Sequence, residues 1–319
     1  MLTITGLRYR HLNPDDEIAI IMKAHWYYKY FKYLLRVSRH YFRSDKTYRV
    51  SKFKKDFGYV PNVYSPTTFN EKVLYRMINP VRAELVTQLS DKLKAREYVK
   101  SINQDILPVI YGVFDSADCI ETSSFPEKFV LKCNHDTGSF IISTDKKTFN
   151  LDKAKSKMSL HLKMNMYYKT REWQYKNIKP LVFCEEYIDR HCMEYGGLIP
   201  EIFRFHCFDS NALYAEVEFI DDKGNNYTNI YDNNFNIQAV RLNGRPNTPS
   251  AIPKPEKFDE AILVAGALSK GMDYYRIDLY LTSTKIYFSE FTFAPNNGRE
   301  KFSPVEWDAT FGKSWNLNY

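Results

Sequence analysis

The sequence predicts an α/β protein built in three consecutive parts, and three observations carry that prediction. Residues 1–103 have helical periodicity, residues 104–185 alternate short apolar strands with a helix, and residues 186–319 are mostly strand with a single helix. At 319 residues, with 44% hydrophobic and 16% aromatic content, the chain is long and apolar enough to fold as several lobes around a sizeable core.

In the first part, residues 26–43 read as one amphipathic helix. Trp26, Tyr30, Tyr33, Leu34, Val37 and Tyr41 line one face, and Lys29, Lys32, Arg36, Arg39 and Arg43 line another. Residues 1–60 hold 13 Lys/Arg against 5 Asp/Glu and the remainder is close to neutral, so the formal charge of +7 belongs to this end. Such a helix suits an anionic membrane surface or an acidic glycan. It equally suits an aromatic face packed on the core with its cations in water. No nucleic-acid partner is expected, because the basic surplus is local and no binding motif accompanies it. Residues 69–77 form the next predicted helix, capped by Thr67 or Thr68, and residues 90–99 another, with Ser90 as its cap.

In the middle part, residues 106–114, 129–133, 140–143 and 181–184 read as strands and residues 151–168 as a helix. In the last part, residues 258–268 read as a helix, and four prolines within 243–255 mark a surface loop. Residues 274–280 and 285–293 read as strands joined by a turn at Thr282, Ser283 and Thr284.

Several function classes are disfavoured. No apolar stretch approaches the roughly 20 residues of a membrane span, and residues 1–10 lack the pattern of a signal peptide. Cys119, Cys133, Cys184, Cys192 and Cys207 are scattered without a C-x-x-C pair and read as reduced thiols of a cytosolic protein. The seven histidines have no zinc-ligand spacing, and no Ser/His/Asp or Cys/His constellation stands out.

The chemistry concentrates in the C-terminal hairpin. Arg276 and Asp278 alternate onto one face of the first strand, and Glu290 approaches from the second. Three charges among apolar neighbours are costly to bury without a purpose. Mg²⁺ bound by one or two carboxylates plus phosphate oxygens is such a purpose. An Arg–Asp surface pair beside an unrelated Glu is the plainer alternative. Upstream, the strand 129–132 delivers Lys132 to a short polar loop, 133–139, containing Gly138 and Ser139. A point charge beside a glycine-bearing loop can cradle phosphate, although ordinary hairpin loops look similar. The strand at 181–184 runs into Glu185 and Glu186, which suits a hinge for an adenine edge.

Taken in order, Asp91-Lys92, Phe129-Val130-Leu131-Lys132, Cys184-Glu185-Glu186-Tyr187-Ile188, Arg276-Ile277-Asp278 and Glu290-Phe291-Thr292 resemble the ATP-grasp superfamily. More narrowly the chain resembles the TupA-like branch, named for a teichuronopeptide biosynthesis protein and associated with bacterial capsule and surface polysaccharide loci. That resemblance adds the run from Ser65 to Lys72, Arg96, Tyr98-Val99, Phe125-Pro126, Arg204 to Phe208, Tyr231-Asp232, Phe302-Ser303-Pro304 and Phe311-Gly312, and covers about residues 60–312.

The resemblance implies an ATP-grasp fold with an N-terminal helical region, an α/β lid and a catalytic α/β lobe, with ATP between the last two. It implies that Lys92 and Lys132, with the loop carrying Gly138 and Ser139, hold the phosphates, and that Glu185, Glu186 and Ile188 form the adenine hinge. Asp278 and Glu290 would ligate Mg²⁺, while Arg276 and Arg204 would stabilise charge on the transferring phosphoryl group. Thr292 stands where many ATP-grasp enzymes have Asn, leaving water, Asn296 or Asn297 for the third ligand position. Arg204 replaces the branch's usual Lys, and Ile202 stands where an acidic residue is usual.

The implied activity is ATP-dependent ligation of a carboxylate to an amine through an acyl-phosphate, plausibly joining an amino acid to a uronic acid carboxyl of a sugar or glycan. A sugar-directed glycosyltransferase or kinase is the runner-up, and a non-catalytic nucleotide-binding scaffold the third reading. The expected location is the cytoplasm, with peripheral attachment at the inner membrane face.

Overall fold

The computed structural model describes residues 14–317, with side chains described from Trp26 onward. The reading of residues 1–10 falls outside the described residues. Five helices come first: α1 (Pro14–Phe42), α2 (Asp45–Phe57), α3 (Phe69–Ile78), α4 (Ala83–Ser90) and α5 (Lys94–Ile102). Strands β1 (Ile110–Phe114), β2 (Phe129–Cys133) and β3 (Ile141–Ser143) are followed by α6 (Leu151–Leu162), α7 (Met166–Thr170) and β4 (Val182–Glu186). The chain then forms β5 (Leu198–Phe208), β6 (Asn211–Asp221), β7 (Asn226–Asp232), β8 (Arg241–Leu242), α8 (Phe258–Leu268), β9 (Tyr274–Leu281), β10 (Ile286–Thr292), β11 (Phe302–Ser303) and α9 (Glu306–Lys313).

Two antiparallel sheets organise these elements. One has the order β1-β4-β2-β3, the other β10-β9-β5-β6-β7, and β8 and β11 form a separate pair. The expected mixed α/β class is therefore what the structure shows. The larger core lies against the five-stranded sheet and draws in Phe69, Phe258 and Trp315 from the helices and the chain end. A second core of Ile120, Phe125, Phe129, Leu131, Met158 and Val182 fills the four-stranded unit.

Helix α3 shows why one stretch of sequence takes its place. Thr68 caps it, accepting from the Glu71 N–H at 3.3 Å, while the Glu71 carboxylate accepts in return from the Thr68 N–H at 3.4 Å and also from the N–H groups of Thr67 and Asn62 at 3.1 and 2.9 Å. This reciprocal box satisfies N–H groups that have no partner inside the helix. Its far side meets α9, where a Cβ added at Gly312 would lie 2.3 Å from the Thr67 carbonyl oxygen. Lys72 donates to the Gly312 and Trp315 carbonyls at 2.8 and 2.5 Å. The Ser65–Lys72 run and the Phe311-Gly312 pair, far apart in the chain, thus form one joint.

Four expectations need correction. Ser90 ends α4 and donates to the Val86 carbonyl, while the Asp91 carboxylate accepts from Leu93 and Lys94 N–H at the start of α5. Residues 104–106 form a 3₁₀ turn and the strand begins at Ile110, because Pro108 has no N–H to give a ladder. The helix expected over 151–168 breaks after Leu162, and Asn165 caps the short α7 by accepting from Tyr167 N–H. In α1, Tyr33 is buried, and Trp26, Tyr30 and Val37 pack with it on Leu160, Met164 and Tyr168. Leu34 and Tyr41, expected on the same face, are exposed. Packing thus takes a narrower stripe than the pattern suggested.

Candidate active site

The two sheets frame a cleft of about 390 Å³ lined from both sides. Lys132, Glu185, Glu186 and Ile188 reach it from β2 and the end of β4, and Arg204, Asp278 and Glu290 from the five-stranded sheet. Lys92, Gly138 and Ser139 close one end. A cavity of this size, with apolar walls at Val130 and Ile142 and a few convergent charges, matches the dimensions of a nucleotide site.

The polar loop is fastened from several directions. Lys92 donates its backbone N–H to the Asn134 carbonyl at 3.1 Å and its ammonium to the Asp136 carbonyl at 2.6 Å. The Asn134 amide donates to Asp91 at 2.9 Å, and the Ser139 hydroxyl accepts from Cys133 N–H at 2.9 Å. Asp136 pairs with His161 of α6. Burial pushes the Asp136 carboxyl up, but the hydrogen bond and charge of His161, with Ser139 and His135, together outweigh it and hold it below the usual range. Gly138 sits at φ +86°, where an L side chain would be strained, with no neighbour crowding it. The loop is thereby rigid at its base and open at its tip, an arrangement that lets backbone N–H groups approach an anion.

Lys132 and Glu185 meet at 2.5 Å and are both largely buried. Burial disfavours the Lys132 ammonium, yet the Glu185 carboxylate, together with Tyr280 and Glu290, outweighs it and raises its pKa. Glu186 lines the cleft at its rim, where its carboxylate accepts from Val109 N–H at 3.0 Å.

On the opposite sheet, Asp278 is the cross-strand partner of both Glu290 and Arg204, and Arg276 that of Thr292 and His206. A β-bulge between Phe288 and Glu290 makes this possible. Ile286 and Phe288 face the core at even positions, and Phe291 and Phe293 at odd ones. The extra residue at Ser289 inverts the alternation and turns Glu290 to the cleft. Arg276 grips Asp278 through two parallel bonds of 2.8 and 2.7 Å and donates to the Thr292 hydroxyl at 3.1 Å.

Glu216 and Glu218 of β6, which the sequence reading passed over, each approach Arg204 at 2.8 Å. Burial works against the Arg204 charge, but Glu216 and Asp278 outweigh it and hold the guanidinium more firmly protonated. Burial dominates at Asp278 and lifts its carboxyl to about 6 despite Arg276. Burial also raises Glu290, but Lys92 at 3.5 Å, with Arg276 and Lys132, brings it below the usual range.

The fit to Mg²⁺ can be tested on these side chains. Asp278 and Glu290 are opposed in register, face the cleft and are matched by cations, as two carboxylates that share a metal with phosphate oxygens must be. Among the described residues no cluster of three or more His, Cys, Asp or Glu could hold a metal by itself. The Thr292 hydroxyl is engaged by Arg276. Asn296 is turned away, donating to Asn243 and to the Arg299 carbonyl, and Asn297 accepts from Arg49. The residues therefore fit a two-carboxylate site completed by the nucleotide. The buried Arg204 Nε has no hydrogen-bond partner among the described residues and lies 3.6 Å from Asp278, a donor available to an incoming oxygen.

Two histidines near the cleft, His135 and His206, are buried and engaged in the fold. His135 lies between the His161 and Met164 carbonyls at 3.2 and 3.0 Å, and His206 bonds the Tyr274 hydroxyl at 3.0 Å.

Among curated proteins none matches the chain at a significant level. Solved structures that it resembles include ATP-grasp ligase PsnB complexed with minimal precursor (9% identity, TM-score 0.37, 68% of this chain and 54% of that one). Others are the D-alanine–D-alanine ligase from Bacillus anthracis complexed with ATP (13%, 0.35, 65% and 54%) and a RimK domain ATP-grasp protein from Sphaerobacter thermophilus (11%, 0.37, 79% and 72%). The chain spans about half the length of the first two. In sequence, the family described as TupA-like ATP-grasp matches residues 71–316, a span that contains every cleft residue described above. With more than three quarters of its length matched, the chain belongs to the TupA-like ATP-grasp family.

Proposed function

We propose that the protein is an ATP-dependent carboxylate–amine ligase of bacterial capsule or surface polysaccharide synthesis, joining an amino acid to a uronic acid carboxyl. The observation that carries this reading is the Arg276–Asp278–Glu290 constellation, with Arg204 beside it and Lys92 and Lys132 across the cleft. Lys92, Lys132 and the Gly138–Ser139 loop hold the triphosphate, and Glu185, Glu186 and Ile188 receive the adenine edge. Asp278 and Glu290 would hold Mg²⁺, which would supply neutralisation of phosphate charge, and the third ligand position would fall to water, with Thr292 a weak candidate and Asn296 weaker still.

The acceptor carboxylate, oriented by Arg204, attacks the terminal phosphorus of ATP, and ADP leaves. Arg276 and Arg204 are poised for the charge on the transferring group, since fixed guanidinium donors need no reorganisation as charge develops. The amine then attacks the acyl carbon, phosphate leaves with the C–O electron pair, and the amine's proton passes to solvent. Positioning and charge neutralisation suffice, so no protein nucleophile is needed. The free cysteines accord with a cytoplasmic site of action, where ATP is available.

The test offers purified protein with Mg-ATP a panel of uronic-acid nucleotide sugars and amino acids, and reads ADP release and product mass. Release that requires both substrates, with an amide-mass product, supports the ligase. A phosphorylated or glycosylated sugar would instead identify a kinase or glycosyltransferase. ATP binding without turnover across the panel would favour the scaffold reading.

A further inference from the structure

Helix α1 carries three longitudinal stripes, and the fold uses one. Trp26, Tyr30, Tyr33 and Val37 pack on the α6–α7 region, where the Tyr33 hydroxyl also accepts from Asn165 N–H at 3.1 Å. At 100° per residue a second stripe covers roughly 140° of the circumference and is apolar. Its residues include Tyr27, Phe31, Leu34, Leu35, Tyr41 and Phe42, exposed to between 41% and 89%. The third stripe, beside it, holds exposed Lys29, Lys32, Arg36 and Arg39, continued by exposed Arg43 just past the helix end, with no acid between residues 26 and 43. The apolar stripe extends about 22 Å along the helix at 1.5 Å per residue. Contiguous apolar surface of this extent on a soluble domain marks an interaction face.

The pairing of the two free stripes decides what fits. An acidic polymer would satisfy the cations and leave the aromatic stripe in water. A second copy laid helix on helix would bury the aromatic stripe but set five cations beside five. A bilayer with acidic headgroups takes both, because Tyr and Phe settle at the interface while Lys and Arg extend to the phosphates. We propose that this face of α1 docks on the surface of an anionic lipid bilayer. The helix would then lie in the interface plane, and no helix among the described residues is long and apolar enough to cross the membrane. The same α6 against which α1 packs also steadies the polar loop, through His161 to Asp136 and through Lys157, which donates to the Phe140 carbonyl at 2.8 Å. Docking would hold the loop side of the cleft near the lipid surface, within reach of an acceptor carried there. The docking inference stands independently of the ligase reading.

The test is co-sedimentation of the full chain with phosphatidylcholine vesicles with and without phosphatidylglycerol, across a salt series. Binding is expected only to the anionic vesicles and to weaken with salt. Tyr27→Ser/Phe31→Ser should weaken it about tenfold or more through lost apolar contact. Lys32→Glu/Arg36→Glu, a change of four charge units, should weaken it about 600-fold, at roughly fivefold per unit of charge near the surface. Leu263→Ser, an exposed apolar site on α8 remote in sequence, should leave binding unchanged. Thermal unfolding and ATP binding, followed in parallel, are expected to match wild type in all three variants. No binding by the folded wild type would overturn the proposal. So would binding that the charge reversals abolish but the serine pair leaves intact, the signature of a simple polyanion site. A wild-type dimer that the serine pair converts to monomer, without any vesicle binding, would assign the face to a second copy instead.

Discussion

The two sheets that face each other across the cleft bury charge in different ways. The four-stranded sheet holds one complementary pair, Lys132 and Glu185, between apolar strands. The five-stranded sheet buries a connected set, in which Arg204 touches Glu216, Glu218 and Asp278, and Arg276 clamps Asp278. Its opposite face is apolar, with Phe203, Phe205, Ile277 and Leu279 in the core. An isolated buried pair returns little net stability, and its removal disturbs few neighbours. A network loses its balance when any member is removed, because several partners are left uncompensated at low dielectric. The pair on the four-stranded sheet, the side expected to form the lid, is therefore suited to holding a ligand, and the network on the five-stranded sheet to charge that changes during a reaction.

This contrast ranks the expected effects of substitution. Asp278→Asn or Glu290→Gln, nearly isosteric, should cut ATP turnover by about a thousandfold or more while the protein remains folded. Turnover within a few-fold of wild type in either variant would sink the metal assignment. Arg276→Lys keeps the charge but loses the two-bond clamp, and a drop in kcat of about a hundredfold is expected. On the lid side, Lys132→Ala should weaken ATP binding about tenfold to a hundredfold and adenosine binding about twofold at most. Equal losses for the two ligands, measured by calorimetry, would mean that Lys132 supports structure and not phosphate.

A pH dependence sharpens the same comparison from the lid loop. Burial holds the His135 pKa below its ordinary value, even with Asp136 nearby, and its Nδ1 has no partner among the described residues. A group depressed in the fold takes its proton first in the unfolded chain. Stability is thus fully present above the unfolded value of about 6.5 and falls as pH drops below it. His135→Gln keeps a donor for the two carbonyls. It should flatten the decline of the unfolding free energy, measured by denaturant titration, between neutral and mildly acidic pH by up to one proton's slope, about 1.4 kcal/mol per pH unit. An unchanged slope would remove His135 from that role. The smallest effect is expected at Thr292→Asn, whose amide oxygen can still accept from Arg276, with turnover within about threefold of wild type.

Legibility in the sequence followed the range of the interaction. The alternation of Arg276, Ile277 and Asp278 placed two charges on one strand face, and the structure joins them through two hydrogen bonds. The Thr68 cap was also local, with Glu71 three residues on. Glu216 and Glu218 escaped because their meaning depends on a strand partner, Arg204, brought alongside by pairing across β5 and β6. Ser90 misled because a hydroxyl at a helix boundary serves either end, and Asp91, with a carboxylate, is the better acceptor. The bulge at Ser289 was legible yet unread. Ile286 and Phe288 set one phase of apolar residues and Phe291 and Phe293 the other, and only an inserted residue reconciles them.

That inserted residue also bears on how the hairpin can change over time. Beyond the bulge the strands end in a Thr282–Lys285 turn, whose side chains reach no cleft residue. Residues can be gained or lost there in matched pairs, one per strand, without moving Glu290 relative to Asp278. Loss of Ser289 alone, with β9 unchanged, would leave the Phe288–Leu279 and Glu290–Asp278 pairs adjacent in a regular ladder, with Glu290 still on the cleft face. Gain or loss of one further residue between Glu290 and the turn would instead need a new bulge to keep that phase. The tip of the hairpin is thus free to drift and be recruited for new contacts, while the bulge takes up the odd residue at Ser289 and keeps the two carboxylates in phase.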